Sequence, residues 1–439
     1  MVIYQEQWLE SLADLARELS FSNHNVEAYI IYDWILRRRQ RFQNVKRLRK
    51  RSIQKMLNQA PALANPENPL NTRLHSELSI DARMLSCAIR HSAVEALDCL
   101  REPIASIADP SLQLPLLMSL HGRKQQWDHW MHHLRAFLHH HRLSSHAEFK
   151  TSSTLNEESV LSRLTMPPGT HVNQSSWTET LVSVVLTAHN AAHTVNYAVA
   201  SILNQSHVNL ELIAVNDASN DDTAERLEAL ASLDTRIKII HNTQRLGTYA
   251  SRNKGLLSAS GDFIANHDAD DFAHPDRLNQ QLRCFHHHAE APAVLGQWLR
   301  ISADGQVNYH NRRGGCFLHG ALATIMLRRE AIERIGFYDA VLCSADTEYL
   351  FRIRRVWGRQ SVPVIRRPLV LAASLGSGLS SDPYLGTDSF LGDSPSRREY
   401  RQAWEMWHEI TPASDLYLAA ETKERAFPAP SELLTFRCA

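Results

Sequence analysis

Two aspartates one residue apart, Asp268 and Asp270, stand in the run His267-Asp268-Ala269-Asp270-Asp271. On an extended segment, side chains two apart point the same way. Paired carboxylates of this kind offer the hard oxygen ligands that Mg2+ and Mn2+ prefer, ions that commonly link protein carboxylates to substrate phosphates. The same triplet also suits an acidic surface turn. Two more polar clusters stand at the ends of apolar runs: Thr187-Ala188-His189-Asn190 at the end of VSVVLT, and Asn216-Asp217-Ala218-Ser219 at the end of ELIAVN. No G-x-G-x-x-G follows the first run and no Walker G-x-x-x-x-G-K-[ST] occurs in the chain, so the usual glycine-rich phosphate cradles are excluded. A carboxylate-held divalent cation is the expected way to handle anionic phosphate.

The elements that must position these clusters are short apolar runs alternating with helical patterns. Strands are expected at 182–187, 211–216, 236–241 and 262–268, with helices at 193–204, 221–233 and 249–260 between them. Such alternation predicts βαβ units, an α/β fold with a mostly parallel, Rossmann-like sheet and helices on both faces. Ligands in these folds bind beyond the carboxyl ends of the strands, where all three polar clusters fall.

In this frame the segment VSVVLTAHNAAHTVNYAVASILNQSHVNLELIAVNDASNDDT resembles the opening of family 2 glycosyltransferases of the GT-A fold. There one strand ends in Thr-x-Tyr-Asn-like residues and the next in Asp-Asp-Gly-Ser. NTQRLGTYASRNKGLLSASGDFIANHDADD resembles the family's Ala-Arg-Asn-x-Gly stretch before Asp-x-Asp-Asp, and AHPDRLNQQ its Pro-x-x-Leu helix start. The resemblance implies that Thr187, His189 and Asn190 border the nucleoside and that Asp217 accepts a hydrogen bond from the base, most often uracil. Arg252 and Asn253 would line the nucleotide side. Asp268 and Asp270 would hold Mn2+ or Mg2+ and the ribose-diphosphate, with Asp270 the firmer metal ligand. This chain departs from the pattern at His189, where Tyr is usual, and at Asn216, which replaces the first Asp of the pair.

The stretch 323–355, ATIMLRREAIERIGFYDAVLCSADTEYLFRIRR, resembles the family block Gly-x-Phe-Asp followed by Glu-Asp-x-Glu, with Ala345 where Glu is common. Displacement at an anomeric carbon needs a base for the acceptor hydroxyl. Asp346 is the expected base and Glu348 the fallback, while a helix N-cap is the competing part for Asp346. His319 has two readings, a contact to acceptor or diphosphate and a structural place. Arg312 and Arg313 before Gly314-Gly315 suggest a loop that closes over the diphosphate.

Residues 1–143 read as an all-α domain, possible helical repeats among them, with an amphipathic face through Leu9, Leu12, Leu15 and Leu19. Residues 144–179 read as a Ser/Thr/Asn-rich linker, 180–375 as the GT-A domain and 376–439 as a loop with a short helix. In that helix Tyr400, Trp404 and Trp407 share a face, for packing or for stacking on a glycan. The basic run 37–51 and the histidine runs 132–141 and 285–288 read as solvated helix faces. Lys+Arg and Asp+Glu both number 47, so no global charge points to nucleic acid. The six cysteines show no C-x-x-C spacing, which fits a reducing compartment rather than a zinc site. Neither a signal peptide nor a membrane span is expected. The expected setting is therefore cytoplasmic, with peripheral association at the membrane's inner face allowed.

The function these features imply is transfer of a sugar from a nucleotide-diphosphate sugar, UDP-linked by family habit, to a hydroxyl of a glycan or other acceptor. The resemblance implies inversion at the anomeric carbon and a part in surface polysaccharide or glycoconjugate synthesis. The alternative is a catalytically degenerate scaffold that works through a protein partner of its helical domain.

Overall fold

The computed structural model describes residues 82–91, 94–149, 159–167, 179–309 and 316–374, then 385, 387–388, 392–421 and 424–434. The amphipathic face at Leu9–Leu19, the basic run 37–51, and Arg312 to Gly315 lie outside the described residues. The chain divides into two compact units: residues up to Phe137 with Asp304–Phe317, and Leu138–Ala303 with Leu318–Ala439.

The first unit is helical, with α1 (Ala82–His91), α2 (Arg101–Ala105), α3 (Pro110–Arg123) and most of α4 (Trp127–His140). Asp109 caps α3 by accepting from the Ser111 amide at 2.9 Å, and Pro110 fills the first helical position. Trp130, Leu134 and Phe137 recur at helical spacing and are all fully buried. The Trp130 indole donates to the Gly305 carbonyl at 2.8 Å, and the Val307 amide donates to Ser119 Oγ at 2.8 Å. Gly305 and Val307 are thereby part of this unit's packing. His121 stacks on His129 at 4.9 Å and on His133 at 5.1 Å, ring face to ring face. Burial, then the neighbouring imidazoles, pulls His133 down to about 4. Among the described residues no three His, Cys, Asp or Glu side chains are arranged to hold a metal ion by themselves.

The second unit contains β1 (Val182–Ala188), α5 (Val195–Leu203), β2 (Leu210–Asn216), α6 (Thr223–Leu233), β3 (Ile237–His241), α7 (Thr248–Ser258) and β4 (Phe263–Asp268). After these come β5 (Phe272–Ala273), α8 (Arg277–His287), β6 (Ala293–Ser302), β7 (Leu318–Arg328), α9 (Arg329–Ile335), α10 (Ala345–Trp357), β8 (Val364–Ser374) and α11 (Pro395–Ile410). Among the described residues, eight strands form one sheet in the order β3-β2-β1-β4-β7-β6-β8-β5. β1 pairs parallel with both β2 and β4, and β2 pairs parallel with β3. β7 runs antiparallel to β4 and β6. The expected α/β class with a mostly parallel sheet is what the structure shows. The reason is visible in β1 and β2, which are buried along nearly their whole length and so must be covered on both faces. α7 lies so close to the sheet that a Cβ on Gly255 would stand 2.3 Å from Val185 Cγ1. Among the described residues no helix is long and apolar enough to cross a membrane.

At the end of the sheet away from the polar clusters, Glu211 ties three elements together. It accepts from Ser183 Oγ at 2.6 Å, from the Ser260 amide at 2.6 Å and hydroxyl at 2.7 Å, and from Lys238 at 2.5 Å. Burial works against its charge, but Lys238, Ser183 and Ser260 outweigh that and lower its pKa from 4.5 to about 2. A lowered folded pKa means the charge stabilises fully above the ordinary carboxylate range and stops doing so as pH falls towards 2. Glu211→Gln is therefore expected to cost roughly 1–3 kcal/mol in urea unfolding at pH 7. The difference should shrink steadily as the same measurement is repeated between about pH 4.5 and 2. A deficit that stays constant across this range would remove the ionic explanation.

Candidate active site

The carboxyl ends of β2, β1 and β4 lie side by side. In register, Thr187 on β1 faces Val215 on β2 and Asp268 on β4, and Ala188 faces Asn216. The chain winds outward from β1 through β2 to β3 and then returns to the other side of β1 with β4. This reversal beside β1 is the crevice at which doubly wound sheets bind ligands.

The tip after β1 turns sharply. Asn190 sits at φ 49°, in the left-handed region that Asn tolerates better than most residues. Its amide donates to Ser219 Oγ at 3.0 Å, and its side-chain oxygen accepts from the Asn220 amide at 2.9 Å. The next two amides, of Ala191 and Ala192, donate to Thr223 Oγ1 at 2.8 Å and to Asp221 at 3.1 Å. His189 Nδ1 bonds the Asp217 carbonyl at 2.8 Å. The tips of β1 and β2 are thus laced together. Ala218 also lies in the left-handed region, at φ 51°, where the family pattern has Gly; a Cβ there costs roughly 1–2 kcal/mol.

One departure from the family pattern, Asn216, and its neighbour Asp217, which keeps the pattern, acquire physical meaning here. Asn216 is buried, bonds His241 Nδ1 at 3.1 Å and accepts from the Ser219 amide at 3.2 Å, so it holds the β2 tip together. Asp217, also buried, accepts from Asn242 at 2.8 Å and from the Leu246 and Gly247 amides, both at 2.7 Å. Its carboxylate therefore fixes the loop that leads into α7.

The extended geometry assumed for Asp268 and Asp270 ends at Asp268, and Ala269-Asp270 form a turn. The two carboxylates still interact, because the turn is tight and Tyr197 pins it by donating to the Asp270 carbonyl at 2.5 Å. Burial, then the charge of Asp268, pushes Asp270 up to about 6. Asp271 is raised too, by burial and then by Asp270, although the Ala373 amide donates to it at 3.1 Å. Asp268 pairs with Arg252, which is almost fully buried. Arg252 Nε is buried and has no hydrogen-bond partner. Beneath the turn, Arg277 bonds His267 at 3.1 Å and the Asn266 carbonyl at 2.5 Å. Burial lowers Arg277 to about 10. The local sequence assigned no part to Asp271, Arg277 or Tyr197; only the excess of acidic residues at 268–271 signalled the cluster.

The other predicted residues fall into two groups. Asp346 lies in the first turn of α10, and its charge acts on Tyr249, Tyr338 and Arg252, the last being the partner of Asp268. It is not the N-cap: Ser344 holds that position at φ 72°, and Asp346 accepts from the next amide, Thr347, at 2.7 Å. Glu348 is fully buried, bonded twice to Arg352 at 2.9 Å and once to His408 at 2.9 Å. Both of its oxygens are thus occupied within the core. Asn253, expected on the nucleotide side, has both amide atoms on Tyr338, donating to its carbonyl at 2.8 Å and accepting from its amide at 3.0 Å. His319 lies within β7 and accepts from the Trp298 indole at 2.5 Å.

All these residues from Thr187 to Glu348 fall inside one stretch, 183–350, that matches the family model described as glycosyl transferase family 2. An uncharacterised glycosyltransferase of Haemophilus influenzae is 40% identical over 121 residues, covering 28% of this chain and 37% of that protein. The Escherichia coli UDP-Glc:alpha-D-GlcNAc-diphosphoundecaprenol beta-1,3-glucosyltransferase WfgD is 38% identical over 102 residues, covering 23% of this chain and 40% of that protein. The chain thus spans about two fifths of the length of these curated relatives. A solved structure of S. aureus TarS 1–349 with UDP-GlcNAc aligns over 46% of this chain and 61% of that one, at TM-score 0.38 and 15% identity. Residues 183–350 of this chain, which carry the whole crevice, thus match glycosyl transferase family 2.

Proposed function

We propose that the domain transfers a sugar from a nucleoside-diphosphate sugar to a hydroxyl with inversion at the anomeric carbon. One observation carries the reading: at the end of β4 Asp268 pairs with Arg252 and acts on its neighbour Asp270, and Asp346, at the start of α10, shares the field of the same Arg252. The donor set at 268–270 is all oxygen and half-buried, and its carboxylates outnumber the Arg252 paired to Asp268, which suits Mg2+ or Mn2+ with substrate phosphates completing the shell. Asp270 is the firmer ligand because Asp268 is already committed to Arg252. A divalent cation held there would supply Lewis-acid neutralisation of the leaving diphosphate.

The chain's own residues do the rest. Thr187, His189 and Asn190 border the nucleoside, and Asp217 holds the wall beside it by fixing 242–247. Arg252 has a buried N–H to spare for the diphosphate side. Asp346 takes the acceptor's proton as the acceptor oxygen bonds to the anomeric carbon. The bond from that carbon to the diphosphate oxygen breaks in the same step, and the leaving group keeps the electron pair. UDP is the expected leaving group, as the WfgD name and the UDP-GlcNAc bound to TarS suggest by analogy, and a saccharide or polyprenyl-linked saccharide the expected acceptor class.

Thermal shifts with nucleotide sugars, with and without Mn2+, test this. A ligand at 100 times its dissociation constant stabilises by about 2.7 kcal/mol. UDP-sugars should raise the melting temperature only in the presence of Mn2+ or Mg2+. No shift with any donor at millimolar concentration, and no release of nucleoside diphosphate, would sink the proposal.

A further inference from the structure

Beyond the stretch that matches the family, residues 394–421 and 424–434 contact the segment that carries Asp346. Gly336 accepts a close approach from the tail: a Cβ at that position would lie 1.9 Å from the Leu418 carbonyl oxygen. The Leu418 amide donates to the Ile335 carbonyl at 3.1 Å, and its carbonyl accepts from the Phe337 amide at 2.8 Å. Further along, the Leu342 amide donates to the Leu433 carbonyl at 2.8 Å. Side chains of α11 then grip the same segment at intervals. Arg397 donates to Ser344 Oγ at 3.0 Å, two residues before Asp346. Tyr400 donates to Asp339 at 2.9 Å, which Arg425 also pairs. His408 meets the buried Glu348–Arg352 pair at 2.9 Å, and Trp404 packs on Phe351 at 5.3 Å. These contacts surround a cap in a poor conformation. Ser344 starts α10 at φ 72° with no side-chain cap bond of its own, so the strained cap residue does not hold itself in place.

We propose that this C-terminal segment is a clamp that fixes the Asp346 turn, with Arg397 and Tyr400 as its positioning residues. The inference rests on the reading of Asp346 as the base. It adds that the working transferase extends through Leu433 and that its acceptor half is set from outside the family-matched stretch. Glu348, buried and paired, is the anchor of the same clamp on α10.

The test uses the full chain with Tyr400→Phe, which keeps the buried ring, and Arg397→Ala, at a partly exposed site. The acceptor is unidentified, so turnover is read as UDP release from UDP-glucose and UDP-N-acetylglucosamine with Mn2+, water serving as acceptor. Misplacing a catalytic group by about 1 Å can cost on the order of a hundredfold. Each variant should therefore lose at least about tenfold in kcat, with donor KM and calorimetric UDP–Mn2+ affinity unchanged. Hydrogen exchange should quicken across 339–348 and stay native across β1, and Arg397→Lys should recover part of the loss. Native kcat together with native protection of 339–348 in both variants overturns the clamp. So does a loss of kcat matched by an equal loss of UDP affinity. If Asp346→Asn turns over normally, or no donor is cleaved by the native chain, the base or transferase reading fails instead. The exchange comparison still decides the clamp.

Discussion

Asp346→Asn is expected to lower kcat by about 10²–10⁴-fold, the usual worth of a positioned general base. Nucleotide binding should change little, because Asp346 lies on α10 while the nucleotide residues lie on the tips of β1, β2 and β4 and on α7, where Arg252 keeps its direct partner Asp268. The asparagine keeps the shape of the side chain and can still accept from the Thr347 amide. A fall in kcat without a change in UDP–Mn2+ affinity therefore isolates proton transfer. Glu348→Gln makes the contrast. It breaks a buried pair with Arg352, which leaves an uncompensated charge and acts through stability. Steady-state kinetics beside urea melts separate the two, and a fully active Asp346→Asn would return the base to another group.

The second large effect is expected from Asp270→Asn. It should abolish the metal-dependent part of donor binding, with a loss in metal affinity beyond the roughly 10–100-fold that a lost outer-shell partner costs. The fold should survive. Burial and the charge of Asp268 raise Asp270, so at neutral pH its ionised form is a cost to the metal-free protein. In chelator, the variant is therefore expected to melt no lower than the native chain, while its Mn2+-plus-UDP shift disappears. Titrating Mn2+ against a fixed UDP concentration, with melting temperature as the readout, checks both halves. Retained metal stimulation would exclude Asp270 as a ligand.

The strand–helix alternation from 182 to 268 was legible because buried parallel strands are short, β-branched and apolar along their whole length. Observed boundaries fall within two residues of the expected ones, as for α5 at Val195–Leu203 and β3 at Ile237–His241. The polar tips were legible for a related reason: a strand's carboxyl end is where the apolar run stops. What each tip residue does was not. Asp217 and Asn253 are the same residue types in the same blocks as in the family, yet one fixes a loop and the other clasps Tyr338, 85 positions away. The aromatic face of α11 was readable as a helical stripe, and burial of Tyr400 and Trp404 makes it core rather than a glycan platform.

By themselves, the residues and their spacing determined the fold class, the crevice and the oxygen-rich cluster at 268–271, since period, propensity and ligand chemistry are local properties. Only the tertiary structure decided that Asp346 shares the field of Arg252 while Glu348, two residues on and about half a helical turn round, is buried against Arg352. That choice depends on His408, 60 positions further along the chain, and on a burial that no local pattern encodes. Charge pairing across such a distance is set when the core closes.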